Sequence, residues 1–224
     1  MQFVNSTKRN AGQNSFTASE QEYMEQNLWK SLKHFLNDKR IKVEAFRSLR
    51  KLVLGASGAS QQGWIKTDIA HLNILHENNW ARYFEEDSID AMLAEHVFEH
   101  LTAAEAALAA RNCLNYLKQE GYLRIAVPDG YFPDPAYIEH VRPMGSGPGA
   151  HDHKILYTYK TLSDLFASCG FKVTLLEFWD EQGKFHYTPW SAEGGLVRRS
   201  RWHDPRNNEE EITYTSLILD AKKP

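Results

Sequence analysis

Ile89-Asp-Ala-Met-Leu-Ala-Glu-His-Val-Phe-Glu-His-Leu101 is the stretch on which the fold turns. Ile89 to Ala94 is a short apolar run broken only by Asp90, as expected of a central parallel strand covered on both faces. Two acids and two imidazoles follow at its carboxyl end: Glu95, His96, Glu99 and His100. Open α/β sheets seat their ligands outside the carboxyl ends of their strands, so the chemistry is expected at this exit.

Outward from it, strands and helices alternate. Lys51 to Gly55, Trp64 to Ile69, Tyr122 to Val127, Phe171 to Trp179 and Tyr214 to Asp220 read as strands. Thr102-Ala-Ala-Glu105 has capping-box spacing, and Ala103, Ala106, Ala107, Ala110, Leu114 and Leu117 form one apolar stripe that Gly121 would stop. A further helix is predicted from about Tyr159 to Cys169, with Leu162, Leu165 and Phe166 inward and Gly170 as its cap. This order predicts an α/β fold, a doubly wound and mostly parallel sheet over residues 51–224. Before it, residues 1–16 read as a disordered, polar lead-in. Residues 17–50 read as an amphipathic helical segment that closes over the cleft as a lid, with Gly145 to Gly149 as a flexible counterpart. Its first helix would start at the Thr17-Ala-Ser-Glu20 box, present Met24, Leu28, Leu32 and Phe35, and end near Asn37-Asp38; a second would cover Val43 to Arg50. Only Ala56 to Gly63 separates the first two strands, less than a parallel crossover ordinarily needs, so its helix must be cut to a turn or two.

Composition excludes several classes of function. A length of 224 residues suits one full-sized core, and a net charge of −3 gives no electrostatic footprint for nucleic acid. Arg198-Arg199-Ser200-Arg201 is the one basic run and reads as a solvated turn. Cys113 and Cys169 fall on apolar helix stripes, which predicts two reduced, buried thiols and a cytoplasmic setting. No stretch has the length or apolarity of a membrane span or a signal peptide, so no membrane partner is expected.

Three motifs compete for the chemistry. Gly55-Ala-Ser-Gly58 after a strand can bring backbone amides against a ligand, and Asp68 at the end of the second strand can accept both hydroxyls of a ribose. The same glycine turn resembles a nucleophile elbow with Ser57 as nucleophile, but the segment upstream reads as helical where an oxyanion strand is required. His96-Val-Phe-Glu99-His100 matches an inverted zinc-peptidase motif, for which His151 and His153 are further donors. A strand exit is the wrong setting for that motif, so the site is expected to need no metal; a zinc hydrolase on His96, Glu99 and His100 is the alternative.

The ordered set Leu-Val-Leu-Gly55, Gly63-Trp-Ile-Lys-Thr-Asp68, Phe84 to Asp90, Glu95 to Leu101 and Tyr122 to Asp129 resembles the small class I S-adenosylmethionine-dependent methyltransferases. His153-Lys154, Tyr157-Thr158 and Cys169-Gly-Phe171 extend the likeness, and Tyr214 to Asp220 fits that family's final antiparallel strand. The resemblance implies S-adenosylmethionine as cofactor. Gly55, Ala56, Ser57 and Gly58 would line its methionine part, Asp68 with Ile69 its ribose, and Asn78 or Asn79 its adenine; Glu95 would sit beside the amino acid moiety. Ser57 departs from the family, where a glycine is usual, and the third strand is indistinct between Leu72 and Phe84.

Methyl transfer from a sulfonium needs in-line positioning and removal of the acceptor's proton, and His96, then His153, are the candidate bases. Phe185, His186, Tyr187, Trp190, Trp202, His203 and several arginines between Asp180 and Asn208 suit a small hydroxylated acceptor bearing an acid or phosphate. The family implies a sugar or natural-product hydroxyl. The same residues would equally close a homodimer interface, and a non-catalytic cofactor-binding partner subunit is a third reading.

Overall fold

A computed structural model describes residues 18–45, 49–57 and 61–224. Thr17 and Gly58, named above, lie outside the described residues, as does the lead-in. The chain divides into one unit up to Asn37 and a second from Asp38 onward.

In the first unit, helix α1 (Ala18–Glu44) presents Met24, Leu28, Leu32 and Phe35, all exposed, beside an equally exposed Trp29. The helix does not stop at Asn37-Asp38 but continues to Glu44, which corrects the expected break; the second helix read over Val43 to Arg50 falls in part on residues 46–48, outside the described residues. Its last turns belong to the second unit. There Ile41 is buried, and Asp38 accepts from the Tyr83 hydroxyl at 2.5 Å and pairs with Arg82 at 2.7 Å. These bonds are reason enough for the helix to run on.

The second unit is a seven-stranded sheet: β1 (Lys51–Leu54), β2 (Ile65–Lys66), β3 (Ile89–Glu95), β4 (Leu117–Pro128), β5 (Lys172–Trp179), β6 (Phe185–Tyr187) and β7 (Ser216–Lys222). Their spatial order is β2-β1-β3-β4-β7-β5-β6. β2, β1, β3 and β4 are mutually parallel, β7 enters antiparallel between β4 and β5, and β6 closes an antiparallel hairpin with β5. The doubly wound, mostly parallel α/β sheet read from the sequence is the sheet found. Alternate residues of β3 enter different cores, Met92 and Ala94 one and Ala91 and Leu93 the other, which is why the strand is apolar throughout. Asp90 interrupts it to accept from Arg50 N and Lys118 Nζ, both at 2.7 Å.

The helices α2 (Glu77–Ala81), α3 (Ala103–Tyr116), α4 (Pro135–Val141) and α5 (Tyr159–Ser168) complete the layers. Thr102 and Glu105 form the predicted reciprocal cap of α3, and Gly170 closes α5 at φ +101°. Gly121 is not the stop of α3: the helix ends at Tyr116, β4 begins at once, and Gly121 lies inside that strand. Glu120 at φ +65° and Gly121 bulge β4 against β3, and a Cβ on Gly121 would meet Lys118 O at 2.9 Å. Between Leu72 and Phe84 only α2 forms. Cys113 and Cys169 are buried free thiols, as expected. No described helix is long and apolar enough to cross a membrane.

The short β1–β2 crossover has its compensation in a distant segment. Trp64 packs with Val53, Leu93, Leu176 and Val197 in one core, and Trp190 lies against it. Gln61 fastens the two loops together, donating to Ala192 O at 2.7 Å and accepting from Leu196 N at 2.9 Å. Residues 190–197 thus cover the sheet face that a crossover helix would otherwise cover.

Candidate functional site at the carboxyl edge of the sheet

A cavity of about 560 Å3 opens at the carboxyl ends of β1 and β3, with Leu54, Gly55 and Ser57 on one side and Glu95, His96, Glu99 and His100 on the other. β1 leads to β2 on one side while β3 lies on the other, so the winding reverses between β1 and β3. Such a switch point forces the following loops apart and leaves a crevice.

The glycine turn is shaped by its conformation. Gly55 has φ +59°, and a Cβ there would lie 2.7 Å from Val97 Cγ2. Ala56 N donates to Thr67 O, and Ser57, at φ +38°, donates its amide to Asp68 Oδ2 at 3.2 Å. Asp68 Oδ1 accepts from Ile69 N at 2.7 Å, which points the carboxylate back at the turn while the Ile69 side chain is exposed. Asp68 and Ile69 therefore adjoin the cavity through Ser57 without lining it. Asn78 and Asn79 do not line it either: Asn78 is exposed, and Asn79 Oδ1 accepts from Asn73 N at 3.1 Å.

His96 leaves β3 at φ +56°, a costly conformation for a residue with a Cβ and one that concentrates at functional sites. Its amide extends the ladder to Ala126 O at 2.8 Å. The ring is held at both nitrogens, Nε2 3.0 Å from Ser216 Oγ and Nδ1 2.8 Å from Glu99 Oε1. Glu99 is fully buried. Burial pushes its carboxyl up, but the adjacent His96 and, more weakly, His100 outweigh this and hold it below the ordinary carboxylate range. Serine, histidine and glutamate in line resemble an acyl-transfer triad. Ser216, however, has no exposed surface and lies outside the cavity lining, so no carbonyl reaches its Oγ. Glu95 accepts from Arg199 N at 2.8 Å and fixes the opposite rim.

His153, the second candidate base, lines the cavity with Nδ1 2.6 Å from Val141 O. His151 lies outside the lining. The inverted zinc motif is not assembled as its pattern demands, because Phe98–His100 is a single 3-10 turn and the His96 ring is already engaged at both nitrogens. Among the described residues, the donor atoms that converge are those of Glu99, His100 and His153, within 4.8 Å of one another. In the loop from Gly145 to Gly149, Gly145 N, Ser146 N and Gly147 N donate to the Arg142, Glu139 and His140 carbonyls.

Sequence reasoning missed part of the wall. Arg198 and Arg199 are exposed on a turn, as the basic run suggested, but they also line the cavity, while Ser200 and Arg201 are buried. The buried Glu177 accepts from Arg201 N, Trp190 Nε1 and Thr215 Oγ1 at 2.7 to 3.0 Å and sets this loop. Arg206, also lining, pairs with Asp204 and lies 3.5 Å over the Tyr214 ring. Conversely, Phe185, His186, Tyr187, Trp190, Trp202 and His203 do not face the cavity. His186 stacks on Phe178 at 4.7 Å, and Trp190 lies between Arg124 and His203. None of these aromatics lines this cavity: Phe185, His186 and Trp190 are half-buried, Tyr187, Trp202 and His203 are exposed elsewhere, and the arginines and His140 stand on the wall. Arg199, Arg201 and Arg206 on either side of Asp204 were the available signal.

No protein-family model and no curated protein sequence matches the chain. Among solved structures it is similar to a SAM-dependent methyltransferase from Archaeoglobus fulgidus (16% identity, 85% of this chain and 94% of that one, TM-score 0.48). It is also similar to a complex of the Haloferax volcanii Trm112 methyltransferase activator with a methyltransferase (13%, 92% and 95%, 0.44). A third similar structure is phosphoethanolamine N-methyltransferase 2 of Haemonchus contortus with S-adenosyl-L-methionine (13%, 79% and 49%, 0.44). Likenesses this distant assign no substrate or activity to the chain.

Proposed function

We propose that the chain is an S-adenosylmethionine-dependent methyltransferase acting on a hydroxyl of a small molecule that carries an acid or phosphate. The observation that carries this reading is the crevice itself. A glycine turn after β1, tied to the Asp68 carboxylate, faces the acid and imidazole at the exit of β3 across a switch point. The turn from Gly55 to Gly58 suits the methionine part of the cofactor. Asp68 suits the ribose: its carboxylate keeps acceptor capacity beyond the Ser57 and Ile69 amides. Glu95, on the cavity wall, suits the α-amino group, and Asn78 or Asn79 remain the candidates for the adenine end. The cofactor would supply an electrophilic methyl group, leaving the chain to align the acceptor and take its proton. Glu99 orients His96 and balances its positive charge when the ring is protonated, the arrangement a general base requires. Arg198 and Arg199 give the wall the sign that holds an anionic acceptor. We also propose that residues 17–50 act as a lid on the loaded site.

Calorimetry with S-adenosylhomocysteine tests the reading. Asp68→Ala should weaken binding by roughly 1.5–3 kcal/mol, the scale of lost charged hydrogen bonds. No binding to the unaltered protein would end the methyltransferase reading, and unchanged affinity in Asp68→Ala would remove that residue from the ribose site. A methylation screen of hydroxylated acids and phosphates then addresses the acceptor.

A further inference from the structure

We infer that Glu99, His100 and His153 form a binding site for one divalent transition-metal ion of the zinc class on the cavity wall. This replaces the metal-free site expected from the sequence, and it shares Glu99 with the methyl-transfer reading, in which that carboxylate orients His96. One donor atom from each residue lies within 4.8 Å of the others. Two imidazoles and one carboxylate are the donor set of zinc sites that keep a fourth position open.

Several features show a built site. Glu99 has no exposed surface, and neither carboxylate oxygen accepts an aligned hydrogen bond from a described residue. The His96 ring approaches only Oε1, so Oε2 is a buried anionic oxygen without a donor, a costly state that a cation relieves. His153 presents its ring in the orientation a ligand needs. Val141 O can only accept, so the short contact puts a proton on Nδ1 and leaves the Nε2 lone pair available. A backbone carbonyl or carboxylate behind the imidazole is the usual support of a metal-bound histidine. His100 Nδ1 lies 3.2 Å from Asp152 Oδ2 without an aligned hydrogen bond to it.

The backbone holds the parts together. Lys154 N and Ile155 N both donate to Glu99 O, at 2.7 and 3.3 Å, which pins the segment carrying His153 to the turn carrying Glu99 and His100. The two rings meet edge to face with centroids 4.9 Å apart. Tetrahedral zinc holds its donor atoms about 3.3 Å apart, so closure requires a movement of about 1.5 Å. The His100 side chain, one-third exposed, has room to turn. The fourth position would face the cavity and take water or an oxygen of a bound molecule.

The test uses tag-free, full-length protein stripped with a chelator, titrated with zinc and separately with cobalt(II) followed by visible absorption. One ion per chain and an intense, low-coordination cobalt band are expected. Zinc affinity should fall at least tenfold in His100→Ala, His153→Ala and the isosteric Glu99→Gln. His140→Ala, altered on the same wall but outside the trio, should bind like the unaltered protein. Substoichiometric zinc, a weak octahedral cobalt spectrum, or undiminished affinity in the folded trio variants would each overturn the proposal. If an alanine variant fails to fold by circular dichroism, Glu99→Gln and the cobalt spectrum of the unaltered protein decide.

Discussion

Replacing Gly55 by alanine tests how the glycine turn shapes the cavity. The residue sits at φ +59°, where a side chain costs about 1–2 kcal/mol. The new Cβ would lie 2.7 Å from Val97 Cγ2, closer than real contacts allow, so Val97 must leave its rotamer at a further cost of about 0.5–1.5 kcal/mol. Gly55→Ala should therefore destabilise the protein by about 2–3 kcal/mol, a fall in Tm of roughly 5–10 °C for a chain of this size. The steric part can be isolated by a double-mutant cycle with Val97→Ala, which removes the clashing methyl groups and leaves the backbone strain. In urea denaturation followed by circular dichroism, the double variant should be about 1 kcal/mol more stable than the sum of the single losses. Gly55 lines the cavity, so the same Cβ should also weaken S-adenosylhomocysteine binding in calorimetry. A loss below about 0.5 kcal/mol for Gly55→Ala, or strict additivity in the cycle, would refute the account of the turn.

Asp129 is fully buried between the Tyr131 and Trp179 amides, and burial pushes its carboxyl up to about 6. Its folded-state value exceeds the unfolded one, so the native state binds the extra proton between about pH 4 and 6 and stability falls as pH rises through that window. From pH 4 to 7 this group should remove about 2.5 kcal/mol; urea midpoints of Asp129→Asn that change with pH just as the unaltered protein's do would disprove it. Glu177→Ala orphans three buried donors and should cost about 3–5 kcal/mol, with amide exchange at Arg201 accelerated; retained protection there would show that Glu177 does not set the loop. Deleting residues 1–37 should leave the melting of the remainder nearly unchanged, because the large apolar side chains described between Tyr23 and Leu36 are exposed. If deletion also leaves S-adenosylhomocysteine affinity and turnover intact, the lid proposal is wrong.

What could be read from the sequence followed from local rules. β3 announced itself because both of its faces are buried, and the cap of α3 because Thr102 and Glu105 bond within one turn. The cluster at the β3 exit was legible for the same reason, its four residues lying within six positions. What escaped depends on long-range pairing. Arg198 and Arg199 are held at the cavity by residues far off in the chain: Glu95 accepts the Arg199 amide and Glu177 the Arg201 amide. The cover over the shortened crossover comes from Gln61 meeting Ala192 and Leu196, more than 130 positions away. Gly121 was misread because a helix stop and a strand bulge both favour glycine, and only the carbonyls of β3 and β4 around it distinguish them.

The position of β7 bears on how the protein comes into being. This strand is the last in chain order, yet it sits between β4 and β5, and the β5–β6 hairpin pairs with the rest of the sheet through β7 alone. It also brings Ser216 to His96. A ribosome makes the amino-terminal strands first, so β4 and β5 spend the interval before β7 emerges with open edges that invite strangers. The imidazole at the heart of the crevice acquires its second hold only when residue 216 is laid into place. Nascent chains stopped before β7 should therefore be sticky and inert, and release of that strand should act as the latch that ends both conditions at once.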